Sequence, residues 1–127
     1  MTLNESFKTV ITPIAKKIIE NNAAAFATVD KTHKPNVIGV ACLKVVSKNQ
    51  ILITDNYMKQ TVSNISKNNN VCLAVWNKKQ EGYKLIGKAK YYSIGKWKKF
   101  VEKMRENKGM PAKGAIVIVV SKIIKMG

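Results

Sequence analysis

Short apolar segments rich in β-branched residues recur along the chain, and polar turns separate them. Segments of this kind indicate β-strands. Most connections are short, as in "KTHKP" and "SKNQ", so we expect antiparallel pairing. The sequence predicts six strands, which cover residues 23–30, 36–47, 51–54, 71–77, 83–93 and 115–126.

A helical pattern precedes the first strand, in "TPIAKKIIENN". Thr12 suits the N-cap position and Pro13 suits the first helical position. Ile14, Ile18 and Ile19 are spaced to share one face, and the two asparagines that follow can end the helix. The sequence therefore predicts a short amphipathic helix before the strands begin.

Two further helices are predicted between strands. The first follows the third strand, at about residues 60–68. The second, "GKWKKFVEKMREN" (95–107), carries apolar residues at i, i+3, i+4 and i+7 with charges between them. This stripe indicates core packing, and it consists of Trp97, Phe100, Val101 and Met104.

The elements follow one another as helix, three strands, helix, two strands, helix and strand, which indicates a mainly β, α+β fold. Six antiparallel strands with flanking helices favour a closed or nearly closed barrel, because closure removes exposed strand edges. A length of 127 residues suits one domain, so we predict a single domain over residues 1–127.

Composition narrows the class of protein. Hydrophobic residues make up 46% of the chain, which is typical of a globular protein. No apolar run approaches the roughly 20 residues of a membrane span, and "MTLNESFKTV" lacks the apolar core of a signal peptide. We therefore expect a soluble, cytoplasmic protein.

The net charge of +16 points to anionic partners, nucleic acid among them. Almost all of the cations are lysines scattered along the chain, and Arg105 is the lone arginine, although arginine is the usual reader of base edges. We favour a solvated basic surface, which would still attract small phosphorylated molecules. A lysine-rich nucleic-acid-binding barrel is the alternative.

Metal-ligating and thiol side chains are few. Cys42 and Cys72 lie in apolar, strand-like segments, so we expect two buried free thiols. His33, the only histidine, lies in the turn-like "DKTHKP" and is expected to be solvated. With no CxxC and no cluster of histidine and cysteine, the sequence predicts no metal site.

One stretch, "ILITDNYMKQT" (51–61), turns abruptly from apolar to polar. We expect a strand to end at Thr54 and a helix to begin at about Gln60 or Thr61. The first turn of a helix has unpaired N–H groups and the positive end of a dipole, and both attract anions. Lys59, Gln60 and Thr61 can add donors, so this is a candidate phosphate site. The alternative is a plain loop with Thr61 as N-cap.

The run from "FATVDKTHKPNV" through "ILITDNYMKQTVSNISKNNNVCLAVW" to "GYKLIGKAKYY" and "KGAIVIVV" resembles the pyridoxamine 5′-phosphate oxidase-related, FMN-binding split-barrel family. The similarity extends from Ala23 to about Val120 and lies in the ordered set of segments. It implies a six-stranded antiparallel split β-barrel, and a homodimer with FMN in two equivalent clefts at the interface.

The resemblance also implies which residues bind the cofactor. The second long strand would lie along the flavin ring, the end of the third would face the ring edge and ribityl chain, and the following helix would bind the phosphate. The implied residues are Gly39, Val40, Ala41, Cys42 and Lys44 for the ring, Thr54 and Asp55 for its edge, and Lys59, Gln60 and Thr61 for the phosphate.

Four side chains are weaker candidates for a role at the cofactor. Lys44 is the candidate donor near the pyrimidine edge of the ring, where it would stabilise reduced flavin. Trp76 and Tyr83 could stack near the ring, although packing in a core or an interface accounts for them as well. Lys113 could reach a cofactor across the dimer.

Departures from the family pattern limit the activity that the resemblance implies. The family often has Lys-Thr or Arg-Lys where this chain has Gln60-Thr61, its oxidases carry an arginine where this chain has Gly39, and "SKIIKMG" lacks their C-terminal Trp/Arg segment. We therefore predict an FMN-binding flavoprotein, an oxidoreductase or electron-transfer protein with an unknown small substrate or redox partner. It is not a true pyridoxamine phosphate oxidase. A deazaflavin- or haem-binding member of the same fold is the alternative.

Overall fold

The computed structural model describes residues 9–126. The N-terminal segment "MTLNESFKTV", which we expected not to be a signal peptide, lies largely outside this range. Within it, the chain forms three α-helices, a short 3-10 helix at Arg105–Asn107 and seven strands. None of these helices is long and apolar enough to cross a membrane. The helices are α1 (Pro13–Asn21), α2 (Gln60–Lys67) and α3 (Lys96–Lys103), and the strands are β1 (Ala24–Val29), β2 (Pro35–Val40), β3 (Lys44–Ser47), β4 (Gln50–Asp55), β5 (Asn70–Trp76), β6 (Gly82–Tyr92) and β7 (Gly114–Met126).

Helix α1 begins as the sequence predicts. The Thr12 hydroxyl accepts a hydrogen bond from the Ala15 N–H at 3.2 Å, and Pro13 occupies the first turn. The predicted apolar face is wrong at Ile14, which is 69% exposed. Ala15 and Ile19 are the buried pair, because they lie four residues apart on the side of the helix that meets the sheet.

All seven strands belong to one antiparallel sheet, in the order β2-β1-β5-β6-β7-β4-β3. The two edge strands, β2 and β3, are consecutive in the chain and only residues 41–43 connect them. A flat sheet of seven strands would hold its edges about 29 Å apart, whereas four virtual bonds span at most about 15 Å. The sheet is therefore strongly coiled, and its edges approach each other without pairing.

The prediction of six strands is wrong because the long second strand is interrupted. Residues 41–43 leave the sheet between β2 and β3, and Cys42 adopts a left-handed conformation with φ of 57°. The edge at β3 is protected by α1, since the Val45 N–H donates to Glu20 Oε2 at 2.8 Å. A side chain thus replaces the ladder partner that an edge strand lacks.

Apolar side chains fill two regions separated by the sheet. The larger lies within the coil and includes Phe26, Leu73 and Ile116. The smaller lies under α3 and includes Leu52 and Val101. Successive residues of β4 and β7 alternate between the two regions, so the start of β7 is buried on both faces.

Helix α3 is shorter than the predicted 95–107, because it ends at Lys103 and the 3-10 turn follows. Val101 and Met104 of the apolar stripe are buried, and Trp97 packs against them at the margin. Phe100 is 42% exposed and contacts the Trp97 ring edge to face, so its expected burial is wrong.

Candidate functional site

An open cleft of about 490 Å³ lies where the interrupted edge β2 passes the end of β4 and the start of α2. Its third wall is the segment after α3. Eight of the ten residues that the sequence predicts as cofactor-binding line this cleft. The lining consists of Asn36, Ile38, Gly39, Val40, Ala41, Cys42, Thr54, Asn56, Tyr57, Met58, Lys59, Gln60, Thr61, Glu106, Asn107 and Met110.

One wall is formed by the end of β2 and the residues that leave the sheet there. Gly39 is exposed, and a Cβ added to it would have no heavy atom within 4 Å. With Ala41 it presents small side chains, so a flat molecule can approach the backbone. Cys42 is only half-buried and its thiol is free, which corrects the expectation of a buried thiol. Cys72 is half-buried too, and burial raises the pKa of its thiol.

The opposite end of the cleft is the N-terminus of α2. The helix begins at Gln60, as predicted, and its N-cap residue is Lys59 rather than Thr61. No side chain in the described part of the chain caps this end. The N–H groups of the first turn therefore keep their capacity to bind an anion, with the helix dipole adding to the attraction.

The three predicted phosphate residues have different surroundings. Lys59 is exposed. The Gln60 side-chain amide donates to Asn64 Oδ1 at 2.6 Å, within the same helix. Thr61 is 1% exposed and its hydroxyl accepts a long hydrogen bond, 3.4 Å, from the Asn36 amide. Lys59 is thus an exposed cation at this end, and Thr61 joins α2 to β2.

Two predicted residues, Asp55 and Lys44, do not line the cleft. Asp55 ends β4 with its carboxylate turned inward and 2% exposed, so it does not face the cleft as expected. Lys44 forms an ion pair of 2.8 Å with Glu106, and this hydrogen bond raises the pKa of Lys44 and lowers that of Glu106. The pair ties the start of β3 to the third wall.

Sequence reasoning missed the third wall altogether. Glu106, Asn107 and Met110 follow α3 and carry no local pattern that points to a ligand. The Asn107 amide donates to the Thr54 hydroxyl at 2.9 Å and to the Val101 carbonyl at 2.8 Å, so it anchors the wall to the end of β4. Tyr57 lies at the rim of the cleft and is 70% exposed. It belongs to the stretch "ILITDNYMKQT", so the same reasoning could have identified it as a site residue.

The weaker candidates lie around the cleft. Trp76 is 50% exposed and lines a shallow apolar groove with Val37 and Gly39, next to the cleft. Lys113 Nζ donates to the Met58 carbonyl at 3.3 Å. His33 is exposed in its turn, as expected. Among residues 9–126, no three His, Cys, Asp or Glu side chains lie close enough together to hold a metal ion.

Comparison with known proteins gives a family. A family model described as Pyridoxamine 5'-phosphate oxidase matches residues 11–127. The uncharacterized protein MJ0282 of Methanocaldococcus jannaschii is 34% identical over 114 residues, which make up 87% of this chain and 76% of that protein.

Solved structures share the fold. HupZ from Group A Streptococcus is 26% identical with a TM-score of 0.83, and the match covers 91% of this chain and 93% of that one. An FMN-binding protein from Syntrophomonas wolfei is 18% identical with a TM-score of 0.70, covering 96% and 86%. A protein named F420 reductase is 16% identical with a TM-score of 0.70, covering 90% and 98%. For the last two, the likeness is one of fold alone.

Proposed function

The chain belongs to the pyridoxamine 5′-phosphate oxidase family, and on that premise we propose that it is a flavoprotein that binds FMN in the cleft between β2 and α2. One feature carries the proposal. The same cavity combines a wall of small residues at Gly39 and Ala41 with the uncapped N-terminus of α2. A flat ring with a phosphorylated tail has the shape and charge that this combination suits.

The orientation of FMN follows from the chemistry of the two ends. The phosphate would bind the first-turn N–H groups of α2 beside Lys59 and Thr61, and the ring would lie along residues 39–42. Thr54 would face the ribityl chain between them. The coiled sheet with its unpaired edges would be the split barrel of the family, with the cleft beside the split.

We assign redox chemistry to the cofactor and binding to the chain. Bound flavin supplies hydride or electron transfer, and the protein positions it and limits access to it. An oxidoreductase or an electron-transfer protein fits this division of roles. The exposed ring of Tyr57 lies at the rim, where a substrate or redox partner would approach.

A second copy of the chain would complete the site. The groove lined by Ala25, Val37 and Trp76 shares Ile38 and Gly39 with the cleft, so an apolar surface continues from one into the other. Exposed apolar surface of this kind is typical of a protein interface. A homodimer with one cofactor near each of two equivalent grooves accounts for it.

The direct test is the absorption spectrum of the purified protein, combined with mass analysis of whatever small molecule copurifies. The proposal expects the two bands of oxidised flavin and the mass of FMN, or saturable FMN binding by protein that is isolated colourless. A protein that neither retains nor binds FMN would contradict it. A Soret band would indicate haem, and binding of oligonucleotides that falls steeply with salt would favour the nucleic-acid alternative.

A deazaflavin is the second candidate for the cofactor. The structural neighbour named F420 reductase supports it, because the fold is shared and a deazaflavin has the same flat ring and phosphorylated tail. Parallel titrations with FMN and with a deazaflavin separate the two by their dissociation constants. Tighter binding of the deazaflavin would replace FMN in the proposal and leave the placement of ring and phosphate unchanged.

A further inference from the structure

Asp55 carries a carboxylate that is 2% exposed, directly behind the phosphate end of the cleft. A buried carboxylate is costly unless hydrogen bonds satisfy it. Oδ2 accepts from the Tyr91 hydroxyl at 2.6 Å, and Oδ1 accepts from the Met58 N–H at 2.9 Å. Lys113 Nζ lies 3.9 Å from Oδ1. The carboxylate is therefore committed to contacts inside the protein.

Tyr91 approaches Asp55 from the middle of the sheet. It lies on β6, and a side chain at Gly114 on the neighbouring β7 would collide with its hydroxyl. Glycine at position 114 thus leaves the space that the hydroxyl occupies. Burial, with the hydrogen bond to Asp55, raises the pKa of Tyr91 to about 12, so the phenol stays a donor throughout the neutral range.

The turn between β4 and α2 is held from a second side as well. The Ala112 N–H donates to Asn56 Oδ1 at 2.8 Å, and the Lys113 N–H donates to the Asp55 carbonyl at 2.8 Å. Residues 55–58 are consequently fixed both from β6 and from the segment before β7. Lys59, the N-cap of α2, follows immediately, so the turn determines where the first-turn N–H groups of the helix point.

We propose that Asp55 and Tyr91 are positioning residues for the phosphate of the cofactor: the Tyr91–Asp55–Met58 contacts hold the β4–α2 turn so that the N-terminus of α2 faces the cleft. This inference rests on the proposed FMN binding. Neither side chain touches the ligand. Their effect passes through the Met58 N–H and is confined to the phosphate end, at the far side of the cleft from Gly39.

Binding of FMN compared with riboflavin tests this role, because riboflavin has the same ring and ribityl chain without the phosphate. Tyr91→Phe keeps the aromatic ring and removes the donor to Asp55. Titration followed by flavin fluorescence should give an FMN dissociation constant raised about tenfold and a riboflavin dissociation constant that is unchanged. A purely structural defect would weaken both ligands alike.

Tyr92→Phe is the matched control, since it makes the same change one residue later, where the ring packs with the smaller cluster under α3. It should leave both constants unchanged. Asp55→Asn weakens the same contacts, so it must reproduce the selective loss of affinity for FMN. It takes the place of Tyr91→Phe as the test if that variant fails to fold.

Equal losses for FMN and riboflavin in these variants, or no loss in either, would overturn the positioning role while FMN binding by the wild type stands. Wild-type protein that binds neither flavin would overturn the proposed function and this inference together. The two failures are therefore told apart by the wild-type titration alone.

Discussion

At the scale of single residues, side chains around the cleft divide into those that face it and those that hold its backbone. Lys59 is exposed at the N-terminus of α2 and is free to meet an anion. Thr61, two residues further along the chain, is buried beside Asn36. Asp55 and Lys44 have their charges satisfied by Tyr91 and Glu106, so they act on the shape of the site.

The phosphate end should depend on Lys59 and Thr61. The double variant Lys59→Ala/Thr61→Ala removes one charge and one hydroxyl. We expect FMN affinity to fall about 10- to 100-fold, because hydrogen bonds to a charged group typically contribute that much. Equilibrium titration with FMN measures the change. Ser66→Ala/Lys67→Ala makes the same changes at the other end of α2 and should bind FMN normally. Full flavin binding by the first variant would refute the placement of the phosphate.

Tyr91 should also give the protein a pH-dependent contribution to stability. Its pKa is raised from 10.0 to about 12 on folding, first by burial and then by Asp55. The folded state thus retains the proton more strongly, so the contribution is complete below pH 10 and is lost as the pH rises toward 12. Urea unfolding of the wild type and Tyr91→Phe across this range measures it. The difference in unfolding free energy between them should shrink as the pH rises, and a constant difference would contradict the assignment.

At the scale of elements, the break between β2 and β3 forms the end of the cleft where we propose that the flavin ring lies. A continuous strand over residues 36–47 would have kept this backbone in the sheet. Instead the chain leaves β2 after Val40, passes through the left-handed residue Cys42, and enters β3 on the other edge of the sheet. An edge strand with an exposed Gly39 therefore borders the cavity, with no neighbouring strand beyond it.

Gly39→Val should block the ring without unfolding the sheet. The position is not in a left-handed conformation and an added Cβ is unobstructed, and valine suits a strand, so we expect the melting temperature to be retained. FMN affinity should fall about tenfold or more, because two methyl groups would occupy the space of the flat ring. Gly39→Ala should give a smaller loss in the same direction. Normal FMN binding by the valine variant would mean that the ring lies elsewhere.

At the scale of the whole molecule, helices cover both apolar regions of the coiled sheet, and an apolar groove beside the cleft stays open. Val37 and Trp76 are 64% and 50% exposed there, beside the cleft. The net charge of +16 gives the molecule a positive potential overall. That potential favours anionic ligands, and it opposes self-association except where apolar contact outweighs it.

The groove should be the dimer interface. Light scattering after size exclusion should report twice the mass of one chain for the wild type and the mass of one chain for Val37→Glu. The variant would bury an unpaired carboxylate in the interface, which is strongly unfavourable. FMN affinity should fall in the same variant, because the groove continues into the cleft. Ile94→Glu changes an apolar residue that is 80% exposed outside the groove and should remain dimeric. A monomeric wild type would exclude the dimer.

Local sequence is sufficient to predict the type and order of most elements. Thr12 and Pro13 start α1 where the pattern predicts, α2 begins at Gln60, and β4 runs through Thr54 to end at Asp55, one residue beyond the prediction. These features depend on hydrogen bonds and side-chain spacing within a few residues, so local sequence is sufficient to predict them. Eight of the ten site residues that the resemblance to the family implies line one cleft, and local sequence indicated only Lys59, Gln60 and Thr61 among them.

The number of strands, the third wall of the cleft and the partners of its charged side chains depend instead on long-range contacts. The break at residues 41–43 appears because β2 and β3 pair on opposite edges of one coiled sheet. Glu106 and Asn107 reach the cleft from more than 50 residues beyond Thr54, as the hydrogen bond between Thr54 and Asn107 demonstrates. Asp55 turns inward because Tyr91, 36 residues away, supplies a donor there. Contacts of this separation form only when the whole sheet assembles, so no local sequence pattern predicts them.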